Sequence, residues 1–166
     1  MPERFGAIVP ELVIGQNQWY RLFTAMFIHF GLMHFAANAF GLLIFGSRLE
    51  RHLGRVKFCA IYILSGLLGS VFSLANLHFA QAYAISAGAS GAIYGIVGAM
   101  FAYTRITKRS IEFINWYAML IYISIGVGMG FATPGIDNFA HIGGLVGGAV
   151  LGGVYARSIN ASQKSR

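Results

Sequence analysis

The sequence predicts an all-α fold, a polytopic bundle of membrane helices, and two observations support this prediction. Of the 166 residues, 57% are hydrophobic and only 10% are charged, whereas soluble domains carry about 25% charged residues. The apolar residues also fall into long stretches of about 20 residues, the length that crosses a bilayer as a helix. A membrane protein is therefore the leading class, and the lipid bilayer is the expected partner of the chain.

The predicted spans follow one another with short linkers. They cover residues 22–46, 58–79, 84–103, 113–131 and 138–156. Each stretch is predominantly apolar and free of clustered charge, as a helix in lipid requires. The sequence therefore predicts five membrane-spanning helices.

The basic residues indicate how these helices are oriented. Ten of the twelve Lys and Arg residues lie within residues 48–57, 105–109 and 157–166. With five alternating helices, these three clusters fall on one side of the membrane, and cytoplasmic loops are the ones enriched in Lys and Arg. The pattern predicts a cytoplasmic C-terminus and an external N-terminus. The net charge of +7 is then a topology signal, and nucleic acid is not an expected partner.

These signals divide the chain into three parts. Residues 1–21 form an extracytoplasmic segment that leads into the first external loop, residues 22–156 form the transmembrane core, and residues 157–166 form a basic cytoplasmic tail. The first residues lack the apolar core of a secretory signal, so an external N-terminus predicts a further membrane helix upstream. The single cysteine, Cys59, has no partner for an intrachain disulfide and no metal-ligand spacing. No small-molecule cofactor is expected.

The few polar side chains within the predicted spans gather near the external surface. An ionised residue inside a bilayer costs ~2.5 to 3.5 kcal/mol and usually marks function. His29, His34 and Asn38 lie in the outer half of the first predicted span. Ser90 lies near the outer end of the third, and His141 near the outer end of the last. Three segments that are distant in sequence therefore bring polar groups to one depth.

The stretch SAGASGAIYG, residues 86–95, places Ser90 at the start of a glycine-rich helix face. Glycines at helical spacing continue the faces of Ser90 and of His141, namely Gly91, Gly95 and Gly98 in one helix and Gly144, Gly148 and Gly152 in the other. Such small residues let membrane helices approach closely. The pattern predicts that the two helices are in contact and that the Ser90 hydroxyl lies beside the His141 imidazole.

A hydroxyl beside an imidazole is the minimal activated nucleophile. The neutral ring accepts the serine proton and later passes it to a leaving amine. Attack on a carbonyl creates an oxyanion, which needs donors already aimed at it, each worth ~2.7 to 4 kcal/mol. The Asn38 amide, the His34 ring and the Ser90 backbone N–H are the candidate donors. The constellation predicts acyl transfer by a Ser–His dyad.

Other interpretations of the same residues stay open. A serine in a span rich in glycine and alanine often serves helix packing alone, and a single histidine is often structural. His29, His34 and His141 offer three nitrogens to a metal, but the spacing of the first two is poor for one helix face and no glutamate accompanies them. Asp137, just before the last span, is interpreted as the N-cap of that helix and not as a third catalytic residue.

In this combination the motifs resemble those of the rhomboid family of intramembrane serine proteases, over nearly the whole chain from about Gly6. The resemblance rests on WYR at residues 19–21, HFGLMHFAAN at residues 29–38, GASG at residues 88–91 followed by Tyr94, and AHIGG at residues 140–144. Bacterial members of the family have a six-helix core. The resemblance therefore implies a rhomboid-like bundle in which this chain supplies five of six expected spans, without the first.

The resemblance also implies a role for each matching residue of the site. Ser90 resembles the nucleophile and His141 the general base. His34 and Asn38 match the pair that stabilises the oxyanion, and Gly88 matches the residue whose backbone helps shape the oxyanion site. No metal is implied.

Supporting roles follow from the same resemblance. Tyr94 matches the aromatic residue that packs against the catalytic histidine. Gly144 and Gly148 match the close contact between the two catalytic helices, to which Gly91 contributes on the serine side. Arg21 resembles the arginine of the first external loop, which lies partly in the membrane.

The activity that the resemblance implies is cleavage of single-span membrane proteins near the outer end of their transmembrane helix. Transmembrane proteins would be the substrates, and the cell membrane the location, with the site near its external face. The fourth predicted span, with Gly126, Gly128 and Gly130 near its outer end, is expected to be a mobile gate. The alternative is a proteolytically inactive rhomboid-like protein that binds membrane helices.

Overall fold

Helices form the framework of the protein. The computed structural model describes residues 2–81 and 84–164, so Met1 and the tail residue Arg166 lie outside the described residues. The long helices are α1 (Leu32–Leu53, with a π-helical turn at Leu42–Gly46), α2 (Arg55–Phe79), α3 (Ser90–Thr107), α4 (Trp116–Ala132) and α5 (Asn138–Lys164). Within the described ranges, β pairing is confined to two isolated bridges, Ile8 with Ser86 and Ile111 with Ile114. The all-α fold class is confirmed.

Three of the described helices are long and apolar enough to cross a membrane. They are α1, α2 and α5 up to Ala161, and α4 is a shorter apolar helix. The remaining long helix, α3, is buried along almost its whole length by its neighbours. The predicted total of five spans therefore stays a prediction.

The centre of the bundle is the contact between α3 and α5, which pack against each other more extensively than any other pair, with α2 closing the third side. The two helices run in the same direction and in register. A Cβ atom on Gly144 would overlap the carbonyl oxygen of Gly91, and one on Gly148 would overlap that of Gly95. Glycine at these positions therefore lets the two backbones touch, as the spacing predicts.

The first predicted span is not one helix. Residues 22–46 contain a short helix at Arg21–Thr24 and a turn at Ala25–Phe27, and α1 begins only at Leu32. Between them Ile28 is extended, with ψ of 141°, and Gly31 has φ of +126°. Hydropathy does not show this break because its residues are themselves mostly apolar. His29 consequently precedes the helix that the sequence assigns it to.

The third and fourth predicted spans also begin later than expected. Residues 84–89 are not helical; within them Ser86 pairs with Ile8 through two backbone hydrogen bonds of 2.8 and 3.1 Å. The fourth helix starts at Trp116 and not at residue 113, because the Asn115 side chain accepts a hydrogen bond from the Ala118 N–H at 3.0 Å and caps it. At the other end of the chain α5 continues to Lys164, so much of the predicted tail is helical.

An ion-pair cluster ties the end of α1 to the linker before α4. The Glu112 carboxylate accepts hydrogen bonds from Arg51 at 3.2 and 2.5 Å and lies 3.0 Å from Nε of Arg48. The Arg48 guanidinium also lies over the Phe113 ring, 5.0 Å from its centroid. Two of the basic residues on which the predicted orientation depends, Arg48 and Arg51, thus contact the linker between α3 and α4.

Candidate active site

Ser90 and His141 meet at the starts of two parallel helices. Ser90 is the first residue of α3, and His141 is the fourth residue of α5. Oγ of Ser90 lies 2.9 Å from Nε2 of His141, a hydrogen-bond distance. Glycine contacts just below the pair allow the two helix backbones to touch, since Gly91 lies against the backbone of Ala140, next to His141.

Stacking holds the His141 ring in place. The Tyr94 ring, one turn along α3 from Ser90, lies parallel to the imidazole with a centroid separation of 4.2 Å and an interplanar angle of 14°. Nδ1 of His141 has no hydrogen-bond partner among the described residues. The arrangement is a serine–histidine pair in which a stacked ring, and not a carboxylate, orients the imidazole.

His34 presents a hydrogen-bond donor to the same site. The Phe30 backbone N–H donates to Nδ1 of His34 at 3.3 Å. Because Nδ1 acts as the acceptor, the neutral ring carries its hydrogen on Nε2. The Phe30 ring stacks on the imidazole, with 5.8 Å between centroids, and His29 packs against it edge-on at 5.2 Å. These contacts give His34 one orientation.

Gly88 leaves room for that donor. Its φ is +138°, and a Cβ atom there would lie 2.8 Å from both Cε1 and Nε2 of His34 and 3.7 Å from Oγ of Ser90. The His34 ring therefore lies directly against Gly88, and a side chain at this position would displace it. The Gly88 N–H already donates to the Ala25 carbonyl at 2.9 Å, so Gly88 contributes space to this site and not a free N–H.

Two further donors face the same region. Asn38 is buried, and its Nδ2 donates to the His34 carbonyl at 2.9 Å, which leaves the second amide hydrogen for another acceptor. The backbone N–H of Ser90 stands at the N-terminus of α3, where the first amides of a helix have no intrahelical acceptor. The partial positive charge of a helix N-terminus adds to the attraction for an anion.

These side chains line one cavity of about 600 Å³. Its polar lining includes His34, Asn38, Ser86, Ser90, Asp137 and His141. Much of the remainder is apolar, and the apolar lining includes Phe30, Ala37, Gly41, Ile93 and Tyr122. A mostly apolar cavity with a few convergent polar groups is the usual form of a ligand-binding site.

The remaining residues singled out in the sequence take structural positions. Arg21 is buried, and its guanidinium donates to the Ala7 carbonyl at 2.9 Å and to Gln18 at 2.6 Å, which ties the N-terminal segment to the bundle. His29 packs behind His34 and does not line the cavity. Among the described residues, no three His, Cys, Asp or Glu side chains come together in a metal-ligand cluster.

Asp137 does more than the sequence predicts. Its Oδ1 accepts from the Ala140 N–H at 2.9 Å, which confirms the N-cap of α5. Its Oδ2 also accepts from Oγ of Ser86 at 2.5 Å and from Oγ of Ser73. Nothing in the spacing of these three residues indicates the contacts, since they lie on separate segments that only the tertiary fold brings together.

The site combines a serine hydroxyl within hydrogen-bond distance of an imidazole, nearby N–H donors and apolar helices around them. Such a site is of the serine-hydrolase type, and the apolar helices indicate a multi-pass membrane protein. The model of the Rhomboid domain matches residues 16–158 of the chain. The chain belongs to the rhomboid family.

Similar proteins come from plants, bacteria and fungi. RHOMBOID-like protein 6, mitochondrial, of Arabidopsis thaliana is 40% identical over 152 residues, which cover 90% of this chain and 48% of that protein. Rhomboid protease GluP of Bacillus subtilis is 40% identical over 146 residues, 87% of this chain and 27% of GluP. Rhomboid-type serine protease 2 of Emericella nidulans is 33% identical over 148 residues, 87% of this chain and 28% of that protein. The chain thus spans about half the length, or less, of these curated relatives.

Proposed function

We propose that this protein is an intramembrane serine endopeptidase that cleaves single-span membrane proteins near the external end of their transmembrane helix. The observation that carries the proposal is the 2.9 Å contact between Oγ of Ser90 and Nε2 of His141. The protease names of two relatives, GluP and serine protease 2, support the same reaction class.

The reaction begins with Ser90 as the nucleophile. Its Oγ attacks the scissile carbonyl carbon while Nε2 of His141 takes the hydroxyl proton. The carbonyl oxygen becomes an oxyanion, which accepts hydrogen bonds from the Ser90 N–H, the Asn38 amide and Nε2–H of His34. The imidazolium of His141 then gives its proton to the leaving amine as the C–N bond breaks, and an acyl-serine ester remains.

Water completes the cycle by the same route. His141 takes a proton from a water molecule, which attacks the ester carbonyl, and the same donors stabilise the second oxyanion. The proton then passes to Oγ of Ser90 as the product acid leaves. Because the dyad stands at the first turns of α3 and α5, water need cross only a short depth to reach it.

The substrate class follows from the backbone chemistry of helices in lipid. A peptide bond inside a transmembrane helix is protected by its own hydrogen bonds, so the scissile segment must unwind first. Glycine and proline lower the cost of unwinding by about 1 and 3 kcal/mol per residue relative to alanine. Sites with small or helix-breaking residues near the external membrane surface are therefore the expected substrates.

Cleavage of a single-span reporter protein in liposomes tests the proposal. We expect the wild type to cut a reporter with a glycine-containing outer helix end, and both Ser90→Ala and His141→Ala to lose at least a thousandfold in rate. A fluorophosphonate probe should label Ser90 and nothing in Ser90→Ala. Unreduced cleavage by Ser90→Ala contradicts the dyad. Tight binding of the reporter helix without cleavage by the wild type favours the inactive, helix-binding alternative.

A further inference from the structure

The Asp137 carboxylate connects three elements that surround the dyad. Its Oδ1 accepts from the Ala140 N–H at the start of α5, at 2.9 Å. Its Oδ2 accepts from Ser86 at 2.5 Å, in the segment before α3, and from Ser73 on α2. One side chain thus holds the helix of the base, the segment that leads to the nucleophile, and the helix packed against both.

The two residues joined by this hydrogen bond, Asp137 and Ser86, each lie close in sequence to one residue of the dyad. Asp137 lies four residues before His141, and its carbonyl accepts the His141 N–H at 3.3 Å. Ser86 lies four residues before Ser90, is 7% exposed, and pairs with Ile8 through two backbone hydrogen bonds. A displacement at either end of the Asp137–Ser86 hydrogen bond is therefore passed to a reacting side chain through only four residues of backbone, which form the first turn of α5 on the His141 side and are non-helical on the Ser90 side.

A carboxylate suits this position better than a neutral group. It accepts from two hydroxyls and one amide at once, whereas a hydroxyl or an amide side chain offers fewer acceptor sites. Hydrogen bonds to an ionised acceptor are shorter and about twice as strong as neutral ones. The N-terminus of α5, a helix of 27 residues, also favours a negative charge.

We infer that Asp137 is a positioning residue, which sets the separation of Ser90 and His141 by holding the start of α5 against the segment that carries Ser90. This inference rests on the proposed function. Nδ1 of His141 has no hydrogen-bond partner in the described part of the chain, so the register of α5 and the Tyr94 stack fix the imidazole. Asp137 fixes that register without contacting the reacting atoms.

The rate of fluorophosphonate labelling at Ser90 measures the dyad geometry directly. In the full chain in liposomes, at a temperature where every variant stays folded, we expect Asp137→Ala and Ser86→Ala to slow labelling at least tenfold. For reporter cleavage, kcat should fall by a similar factor with KM within twofold. Asp137→Asn should recover part of the rate, since its Oδ1 still caps Ala140 and its Nδ2 reaches the serine oxygens, but its hydrogen bonds are weaker than those of the carboxylate.

Two serines on α2 complete the comparison, Ser65 as a control and Ser73 as a second partner of Asp137. Ser65→Ala also removes a buried hydroxyl, but its hydrogen bond, 2.6 Å to the Ile61 carbonyl, stays within its own helix. This variant should be labelled at the wild-type rate. Ser73→Ala loses the bond from α2 to the same Oδ2 and should slow labelling less than Ser86→Ala does. In the Asp137→Ala background, Ser86→Ala should have little further effect.

The inference is overturned by wild-type labelling in Asp137→Ala, by a Ser65→Ala rate as low as that of Ser86→Ala, or by a folded Asp137→Asn as slow as Asp137→Ala. Failure of the proposed function has a different signature, which is that the wild type itself is not labelled. The unfolding free energies of the Asp137 and Ser86 single and double variants then decide the inference. Additive effects overturn it, and coupled effects uphold the contact that it requires.

Discussion

The orientation of His141 comes from an aromatic ring that touches two helices. Tyr94 stacks on the imidazole at 4.2 Å, and its hydroxyl end lies directly against Gly126 of α4, where a Cβ atom would overlap it. Offset aromatic pairs contribute about 0.5 to 1.5 kcal/mol beyond their area. The stack therefore contributes part of what a buried carboxylate would supply in a triad.

Substitution of Tyr94 separates the ring from its hydroxyl. Tyr94→Phe keeps the stacked surface and should retain kcat within about twofold. Tyr94→Ala frees the imidazole and should lower kcat roughly tenfold, the equivalent of about 1.4 kcal/mol, with KM little changed. Steady-state cleavage of the liposome reporter measures both. A Phe variant as impaired as the Ala variant would assign the effect to the hydroxyl and contradict the stacking role.

At the scale of single residues, the sequence predicts which residues form the site better than it predicts the hydrogen bonds between them. Ser90 beside His141 follows from depth and glycine spacing, and the structure brings the pair to 2.9 Å. The backbone donor that fixes the His34 tautomer and the two serine hydroxyls on Asp137 have no such signal. Spacing describes faces of a single helix, whereas these bonds join a loop or a second helix whose approach only the tertiary fold determines.

At the scale of elements, the α3–α5 contact decides whether the site exists. The two helices approach so closely that glycine carbonyls of one face glycine α-carbons of the other. Membrane helices gain no hydrophobic free energy by meeting, so this packing has to come from close fit. The Ser90–His141 pair lies at the end of this contact where both helices begin.

Two glycines on α5 offer a matched comparison. Gly148→Ala places a methyl group into the Gly95 backbone and should lower the free energy of unfolding by about 1–3 kcal/mol. Gly153→Ala meets only Ile106 at 3.6 Å and Ala102 at 4.0 Å and should be neutral or stabilising. Thermal unfolding in detergent and fluorophosphonate labelling report both. Equal stability of the two variants would show that the contact does not hold the bundle together.

The Glu112 cluster makes one inter-element contact sensitive to pH. The hydrogen bonds from Arg51 lower the pKa of the Glu112 carboxyl from its usual value, and the charges of Arg51 and Arg48 add to this effect. A lowered pKa means that the cluster stabilises the fold above the unfolded pKa of glutamate and that this stabilisation is lost as pH falls through the folded pKa.

Glu112→Gln tests that sign. The variant should melt at a lower temperature than the wild type at pH 7, and the gap should close under acidic conditions, where the wild-type carboxyl is protonated too. Because the cluster is partly exposed, high salt should narrow the gap as well. A gap that widens on acidification would contradict the assignment.

Helix identity is predicted well from hydropathy, but helix starts are not. Each predicted span corresponds to a helix, yet the first breaks at residues 28–31 and the third and fourth begin late. In each case the deviation depends on a local feature. It is a glycine with positive φ at Gly31, a β bridge at Ser86 and a side-chain cap at Asn115. An average over twenty residues does not register one such feature.

Over the whole molecule, α4 is the helix with the weakest attachment. Only Met119 and Gly130 of its 17 residues are buried, and the Glu112 cluster holds the linker that precedes its N-terminus. Its contact with α1 includes the Phe45 and Tyr122 rings, 4.6 Å apart. This small number of buried residues supports the prediction that α4 is the helix that moves to admit a substrate helix.

Crosslinks at the two ends of α4 test the gate. In a Cys59→Ala background, cysteines at Phe40 and Ile125, both exposed, are joined by a reducible bifunctional reagent. We expect reporter cleavage to fall at least tenfold and to return on reduction. The matched pair, cysteines at Arg51 and Glu112, joins the inner ends and should leave cleavage close to its uncrosslinked rate. Full activity with the outer crosslink in place would exclude the gate.

Tyr94 lies between His141 and α4, so a movement of α4 also affects the orientation of the His141 imidazole. A displacement of α4 around Gly126 removes one of the contacts that hold the Tyr94 ring against the imidazole. A small molecule bound between α4 and Tyr94 would then misalign His141 without contacting Ser90. Resistance to such a compound would arise at Gly126, on a helix that carries no reacting group. An allosteric inhibitor and a covalent one would consequently select different escape mutations in the same protein.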